Sequence, residues 1–584
     1  MRNPFSHEYF IGYVNQVTPE YVKVHFPSSS LLHPFMHKGE HYNGGLVGNY
    51  VVIEGYKCGF LGKIQELVLP EKERLELSEK SFQTNDFHPL GNIEILLSFD
   101  LLDPKNTDNG LNSLPPIGSK VFVCSSELLK DYFRNFGVKK EQTKNAPIIN
   151  LGVLTQDMST TIDISQQALF GRHCAIVGTT GGGKSYTVST LIEGIKNNKG
   201  KVIVLDPTGE YAVHDGKDYA SEAAILAKDS YFHYTRMTIG DWYVLFRPSG
   251  QVQQPLLMEA IQSLKVVDCL RKDSAIRSTT SGNIVKYTIK ENGGVKQEIT
   301  VKDGCIVKQS QKTGPYLNAL VKYDEEISNI EESNFEISNL VNQLQNECYK
   351  VFGDSWSSSF DDRNAGNISS LIIRIYNVVK DKLFDSIFGF KKDKEHDICE
   401  KIEAFLTASD KHLLRIGFEA VPYSFQAREI LANAIAKFLL NKARNGEFKE
   451  TPLVLFVDEA HQYINKAVKD EYFEATKLDA FDLIAKECRK YGLFLCLATQ
   501  MPRDIPTGTL SQMGAFIVHR LINHYDKEAI ESACSSANKT TLSYLPILGA
   551  GEAILMGVDF PMPVMLKIHK PKVEPNSSTP QFKK

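Results

Sequence analysis

Cys174-Ala175-Ile176-Val177-Gly178-Thr179-Thr180-Gly181-Gly182-Gly183-Lys184-Ser185 is the stretch on which the reading of this chain turns. Its last eight residues match G-x-x-x-x-G-K-[ST], and each residue type meets a demand of polyphosphate binding. Glycines let backbone N–H groups curl around a phosphate without Cβ clashes. Lys184 brings a cation to the β/γ oxygens, and Ser185 a hydroxyl for Mg2+. The apolar run before the loop has the texture of a strand buried on both faces of a parallel sheet. Ser189 to Ile195 continues as a helix. Strand, glycine loop and helix in that order make Gly178, Thr179, Thr180, Gly181, Gly182, Gly183, Lys184, Ser185 and Tyr186 the expected ATP-binding set.

Three more apolar runs repeat this texture: Val202 to Leu205, Leu453 to Val457 and Leu493 to Leu497. The second ends in Asp458-Glu459, as a Walker B strand should, with Asp458 expected to join Ser185 around Mg2+ and Glu459 to orient the attacking water. Ala498-Thr499-Gln500 ends the third, where Gln500 can sense the γ-phosphate. Arg489 lies just before that strand, within Lys486 to Gly492. A lone arginine there reads either as a solvated ion-pair residue or as a charge for phosphate.

Asp458-Glu459-Ala460-His461 also spells the DEAH box of two-domain helicases. Such enzymes need a second motor domain downstream, and only 123 residues follow His461 (584 minus 461). The spacing of 274 positions from Lys184 to Asp458 is also too long for that class. An ABC-type signature is absent. Both readings are set aside.

Outward from this core, residues 1–150 read as all-β. Phe10 to Val17, Tyr21 to Phe26, Gly48 to Ile53, Gly59 to Leu69, Ile93 to Phe99, Lys120 to Val123 and Ile148 to Leu154 are short strands, with Asn43-Gly44-Gly45 as one turn. One helix, Ser126 to Phe136, stops at Gly137. The spacing suggests a small barrel. Residues 151–251 then hold the first part of the α/β core, and residues 252–410 form a mixed, largely helical insertion. That insertion contains a hairpin around Asn292-Gly293-Gly294 and a polar helix over Phe335 to Cys348. Residues 411–572 return to the core, opening with an amphipathic helix at Ala427 to Arg444. Residues 573–584 read as a flexible tail.

Composition narrows the class further. The chain has 584 residues, 42% hydrophobic and 23% charged, too long for one core at about 150 residues per domain. No apolar run approaches the roughly 20 residues that span a bilayer, and the N-terminus lacks a signal-peptide core. Ten cysteines are scattered without a Cys-x-x-Cys pair, which fits reduced thiols and a cytoplasmic location. A formal charge of −4 excludes a protein that coats nucleic acid with its whole surface, so any such contact is local. No recognisable nuclease, protease or second nucleotide motif is present.

Val202 to Ala212 (VIVLDPTGEYA), Val457 to His461 with Cys488 to Pro506 (CRKYGLFLCLATQMPRDIP), and Leu545-Pro546…Gly549-x-Gly551-Glu552-Ala553-Ile554 resemble HerA-type ATPases of the HerA/FtsK superfamily. The resemblance covers most of the chain except 252–410. It implies a RecA-like P-loop ATPase core with an N-terminal small β-barrel, a homohexameric ring, and ATP-driven movement on double-stranded DNA. Arg172-His173, upstream of the loop strand, also fits the pattern. This makes Arg172, with Arg489 and ahead of Arg520, the arginine expected to reach a neighbouring subunit's nucleotide. Cys488 and Gly182 depart from the residues usual at their positions without removing a catalytic group. Family partnerships imply a separately encoded effector, a nuclease or a sirtuin-like enzyme, docking on the barrel in DNA end processing or anti-phage defence. The alternative is an ATP-regulated hexameric scaffold that docks and activates such an effector.

Overall fold

The computed structural model describes residues 3–577, apart from 20, 38, 43, 72–86, 102–106, 109–113, 135, 139–145, 217–220, 293–294, 329–333, 394, 465–466, 471–472 and 538. Expectations for Asn43, Gly293, Gly294 and the tail from 578 onward therefore lie outside the described residues. The chain divides into two compact units. One comprises Met1–Val202, Leu453–His461 and Phe494–Lys584, the other Ile203–Pro452 and Gln462–Leu493.

The first unit begins with a barrel of six strands: β1 (Phe10–Val17), β2 (Val22–His25), β3 (Tyr50–Glu54), β4 (Cys58–Val68), β5 (Leu90–Asp100) and β6 (Lys120–Val123), beside which lie the short strands Phe35–His37, Glu40–Tyr42 and Thr107–Asp108. All pairings are antiparallel. β2 pairs with β1, β1 with β6, β6 with β3, β3 with β4 and β4 with β5. β5 returns to β2 through Ile93 opposite Val22, so the sheet closes into a barrel. Closure pairs the sheet back on itself over Leu90–Ile93, and the far end of β5 is paired at Ser98 and Phe99 by the short strand Thr107–Asp108. Alternation places Ile11, Val14, Val22, Val24, Phe26, Val51, Ile53, Phe60 and Ile64 in one core. β3 is buried on both faces because Tyr50, facing outward, meets Phe133 with ring centroids 6.4 Å apart. Phe133 ends helix α1 (Ser126–Phe133), whose start is capped by Ser125 Oγ accepting from the Leu128 N–H. The helix is shorter than its pattern predicts. Phe136 leaves it to exchange backbone hydrogen bonds with Asp163 and Ser165 instead.

The rest of this unit is a sheet built from β7 (Ile148–Leu154), β8 (Thr161–Ser165), β9 (Cys174–Val177), β10 (Leu453–Val457), β11 (Leu493–Thr499), β12 (Ala515–Val518), β13 (Glu552–Gly557) and β14 (Val564–Ile568). Its order is β8-β7-β14-β13-β12-β9-β11-β10. β9 runs parallel to both neighbours, β12 and β11. The β12–β13, β13–β14, β14–β7 and β7–β8 pairs are antiparallel. Every residue of β9, β10 and β11 is buried, which is why these strands read as unbroken apolar runs. The sequence texture groups Ile148–Leu154 with the barrel strands. The structure pairs this strand with Leu566–Ile568, more than 400 residues away, and with Thr161–Ser165. Strand alternation names a buried face but not the partner that covers it.

In the second unit, strand Leu413–Gly417 lies between Lys201–Asp206 and Ser221–Ile225, parallel to the latter. Asp206, in the VIVLDPTGEYA segment, accepts from the backbone N–H groups of Gly209 and Tyr211 at 2.8 and 3.0 Å. Its partner Arg415 is 1% exposed and also binds Asp215 and Glu419. Burial pushes the Asp206 carboxyl up, against the pull of these N–H groups and Arg415.

Between the strands lies the mixed insertion. A 20-residue helix, Gln253–Lys272, packs Val266 and Leu270 against Tyr287, Ile299 and Val301 of an antiparallel sheet. The hairpin forms with Asn292 opposite Val295. Within Phe335 to Cys348 the helical part is a single turn at Ile337–Asn339 followed by Leu340–Asn346. Among the described residues no helix is long and apolar enough to cross a membrane, and all ten cysteines are free.

Candidate active site

The chemistry gathers at the C-terminal ends of β9, β10 and β11, all in the first unit. β11, which carries Gln500 at its end, lies between the glycine-loop strand β9 and the carboxylate strand β10. Residues Gly178 to Gly183 leave β9 and enter helix α2 (Lys184–Asn197). Gly181 and Gly183 have φ of +76° and +114°, a region that side chains with a Cβ rarely adopt. The loop is pinned by its own backbone: Thr179 N–H and hydroxyl both donate to Arg520 O at 3.1 Å, and Gly182 N–H to Thr179 O at 3.0 Å. Its N–H groups and the first turn of α2 form an anion-binding concavity.

Lys184 is 6% exposed, and its ammonium donates to Glu459 Oε1 at 2.6 Å and to Asp458 Oδ1 at 3.4 Å. Glu459 sits at φ +45°, left-handed backbone that a non-glycine residue holds only where its surroundings over-determine it. Its carboxylate also accepts from Gln500 Nε2 at 2.6 Å, and Gln500 Oε1 accepts from the Thr180 hydroxyl at 2.5 Å. On the other side His461 Nδ1 lies 3.4 Å from Glu459 Oε2 and 3.2 Å from Thr499 Oγ1. A continuous polar chain therefore joins the glycine loop, the strand-end glutamine and the strand-end glutamate.

Ser185 is the second residue of α2 and half-buried. Among the described residues no three His, Cys, Asp or Glu side chains are grouped to hold a metal by themselves. A hydroxyl and one carboxylate, Ser185 and Asp458, are the hard oxygen donors that suit Mg2+, which binds proteins through one or two carboxylates and completes its shell with water and phosphate. The donor set fits Mg2+ delivered with a nucleotide.

The remaining expected residues are dispersed. The Tyr186 hydroxyl donates to Glu574 Oε2 at 2.7 Å, and that carboxylate raises its pKa. Arg172 precedes β9, at the end opposite the loop, and β9 itself spans about 13 Å at 3.3 Å per residue. Its Nε donates to Asp559 Oδ2 at 2.9 Å. Arg489 is exposed on the turn Cys488–Tyr491 and belongs to the second unit. Arg520, ranked third from sequence, has an exposed side chain and a backbone that touches the loop directly. Sequence reasoning did not find His519, which is fully buried and bonded to Thr187 at 2.8 Å. A single histidine after an apolar strand carries no local signal of its partner.

The profile of the HerA helicase central domain matches residues 149–414, and that of the HerA-like helicase C-terminal domain residues 435–577. A probable helicase of Methanocaldococcus jannaschii is 25% identical over 490 residues, covering 82% of this chain and 80% of the relative. The DNA double-strand break repair helicase HerA of Pyrococcus furiosus is 22% identical over 479 residues, covering 77% of this chain and 73% of its own length. Among solved structures, VirB4 of Thermoanaerobacter pseudethanolicus aligns with a TM-score of 0.47 at 13% identity, over 73% of this chain and 97% of VirB4. With both domain profiles matched in order around the glycine loop and the Asp458-Glu459 strand end, the chain belongs to the HerA helicase family.

Proposed function

We propose that the chain is a cytoplasmic, ATP-driven translocase or helicase acting on double-stranded DNA. The observation that carries this reading is the convergence of Thr180, Lys184, Asp458, Glu459 and Gln500 from three distant segments. Lys184 and the loop N–H groups take the β/γ-phosphates of ATP, with Ser185 and Asp458 holding Mg2+. Bound there, Mg2+ neutralises charge on the phosphate oxygens. Glu459 polarises the attacking water, and Gln500 orients against the γ-phosphate. An arginine from a neighbouring subunit, Arg172 or Arg489 ahead of Arg520, supplies positive charge to the transition state. That role requires an assembly, for which we propose a homohexameric ring. Duplex DNA as substrate is taken from the repair-helicase relatives, not from a surface of this chain. The test is ATP hydrolysis with and without blunt duplex DNA, beside Lys184→Ala. A wild-type rate that equals the variant's in both conditions defeats the reading.

One observation favours a second role beside the first. The barrel is closed, and the side chains that form the polar chain, Thr180, Lys184, Asp458, Glu459 and Gln500, all come from outside it. We propose that it docks a separately encoded effector, a nuclease or sirtuin-like enzyme, in DNA end processing or anti-phage defence. If the ring is chiefly a scaffold, DNA stimulates hydrolysis only in the presence of that partner.

A further inference from the structure

Beneath the glycine loop lies a side chain that none of these roles uses. His519 follows β12 and has no exposed surface. Its ring nitrogens reach two different elements. Nε2 is 2.8 Å from Thr187 Oγ1 in the first turn of α2, and Nδ1 is 2.9 Å from the carbonyl of Glu552, where β13 begins. A carbonyl can only accept, so Nδ1 carries the proton, and Nε2 of the neutral ring shares the single Thr187 hydroxyl proton with the Gly183 carbonyl, 3.2 Å from that hydroxyl. Burial, with the Lys184 charge acting in the same direction against two backbone carbonyls, holds the imidazole down at about 4. Burial therefore favours the neutral ring.

The loop backbone rests directly on this histidine. A Cβ built on Gly178 would stand 2.6 Å from His519 Cβ, and one on Gly183 would stand 3.2 Å from Cε1. The residues before β13 complete the floor. Gly551 N–H donates to Gly182 O at 3.1 Å, and a Cβ on Gly183 would also stand 3.0 Å from Gly551 Cα. Gly551 itself has φ +76°, so its N–H is aimed by backbone that favours glycine. The Gly549-x-Gly551-Glu552 segment thus packs against the phosphate loop although more than 360 residues separate them in sequence.

We infer that His519 is a positioning residue for the nucleotide: together with Gly551 it holds the glycine loop in its curled form before phosphate arrives. Four of the six loop residues are glycine and have the most conformational freedom to lose. A loop already ordered against His519 and Gly551 spends less binding energy on ordering itself, and its N–H groups converge on one place. The effect falls on nucleotide affinity rather than on the chemical step, because His519 touches no group assigned to water activation. This inference rests on the ATP reading above.

The test uses the full chain with His519→Leu, His519→Asn and Thr187→Val, and Lys184→Ala as the reference for lost binding. The measurements are the Kd of a fluorescent ATP analogue with Mg2+, KM and kcat for ATP, and melting temperature. His519→Leu should raise Kd and KM about tenfold with kcat at saturation within about threefold. His519→Asn, whose amide N–H still reaches the Glu552 carbonyl, should recover at least half of that loss on a logarithmic scale. Thr187→Val should raise Kd about threefold. A folded His519→Leu chain with Kd within twofold of wild type overturns the inference. Equal losses in the Leu and Asn variants with parallel falls in melting temperature also overturn it, because packing alone then suffices. If His519→Leu does not fold, the Asn and Thr187→Val variants decide, and wild-type Kd in both refutes the role. A wild-type chain that does not bind the analogue refutes the ATP reading itself, whatever the variants do.

Discussion

The ammonium of Lys184 and the carboxylate of Glu459 are hydrogen-bonded at 2.6 Å, although they are 275 positions apart in sequence. Both side chains are nearly buried, and Gln500 donates to the same carboxylate oxygen. A polyphosphate entering the loop competes with Glu459 for this lysine. Phosphate binding is therefore coupled, through one cation, to the carboxylate proposed above to polarise water.

Lys184→Ala should abolish nucleotide binding, with Kd at least about a hundredfold weaker, since it deletes the only lysine in the loop. Glu459→Gln should keep Kd within a few-fold and lower turnover by about 10²–10⁴, the range for loss of a positioned base. Equilibrium binding and single-turnover hydrolysis separate the two. Turnover near wild type in either variant refutes the assignment of that residue.

Gln500→Leu removes one hydrogen bond to a charged carboxylate and leaves Thr180 without its side-chain acceptor. Bonds to charged groups contribute about 1.5–3 kcal/mol, so kcat should fall roughly 10- to 100-fold. KM for ATP should change much less, because Gln500 bonds the Glu459 carboxylate and the Thr180 side chain but not the backbone N–H groups expected to hold phosphate. Steady-state kinetics showing the reverse pattern would assign Gln500 to binding.

Arg172 forms an ion pair with Asp559 within its own chain, which competes with the role proposed for it as a transition-state charge for a neighbour. Arg172→Ala should cost about 10³-fold or more in turnover if it acts in trans. Asp559→Asn, which breaks only the ion pair, should cost less than threefold. Mixing Arg172→Ala subunits with Lys184→Ala subunits should then restore activity at hybrid interfaces. Equal losses for Arg172→Ala and Asp559→Asn, without recovery on mixing, would make the arginine a structural ion-pair residue.

Lys63 provides a pH-dependent stability test in the barrel. Burial lowers its pKa from 10.5 to about 8, opposed by Glu94, and its ammonium lies 5.1 Å from the Tyr544 ring centre. Between pH 8 and 10.5 the unfolded chain holds a proton that the folded chain has lost, so this group's contribution to stability rises with pH across that window. Below pH 8 the cost is present in full, roughly 3 kcal/mol at 1.36 kcal/mol per unit. Lys63→Met should therefore melt higher than wild type at pH 7, with the difference shrinking toward pH 10. A difference that stays constant across the window would place the effect in packing.

The glycine loop and the acidic strand end were legible from sequence because each is contiguous. A few residues on either side of Gly178 to Ser185 contain the strand, the turn chemistry and the helix start, and Leu453 to Glu459 contains its own burial pattern. Barrel strands were legible for the same reason, through period-two alternation such as Val22, Val24 and Phe26. Three things depended on tertiary structure alone. Ile148–Leu154 left the barrel for the P-loop sheet, because its partners are Thr161–Ser165 and Leu566–Ile568. The strand carrying Gln500 settled between those carrying the loop and Asp458, which is what brings Thr180, Gln500 and Glu459 into one chain of hydrogen bonds. His519 reached Thr187 across 332 residues and was invisible from either end. Local patterning specifies which face of an element is buried and how the backbone turns. Which buried face meets which, and hence which polar groups meet at a strand end, is set by long-range packing and register that no single segment encodes.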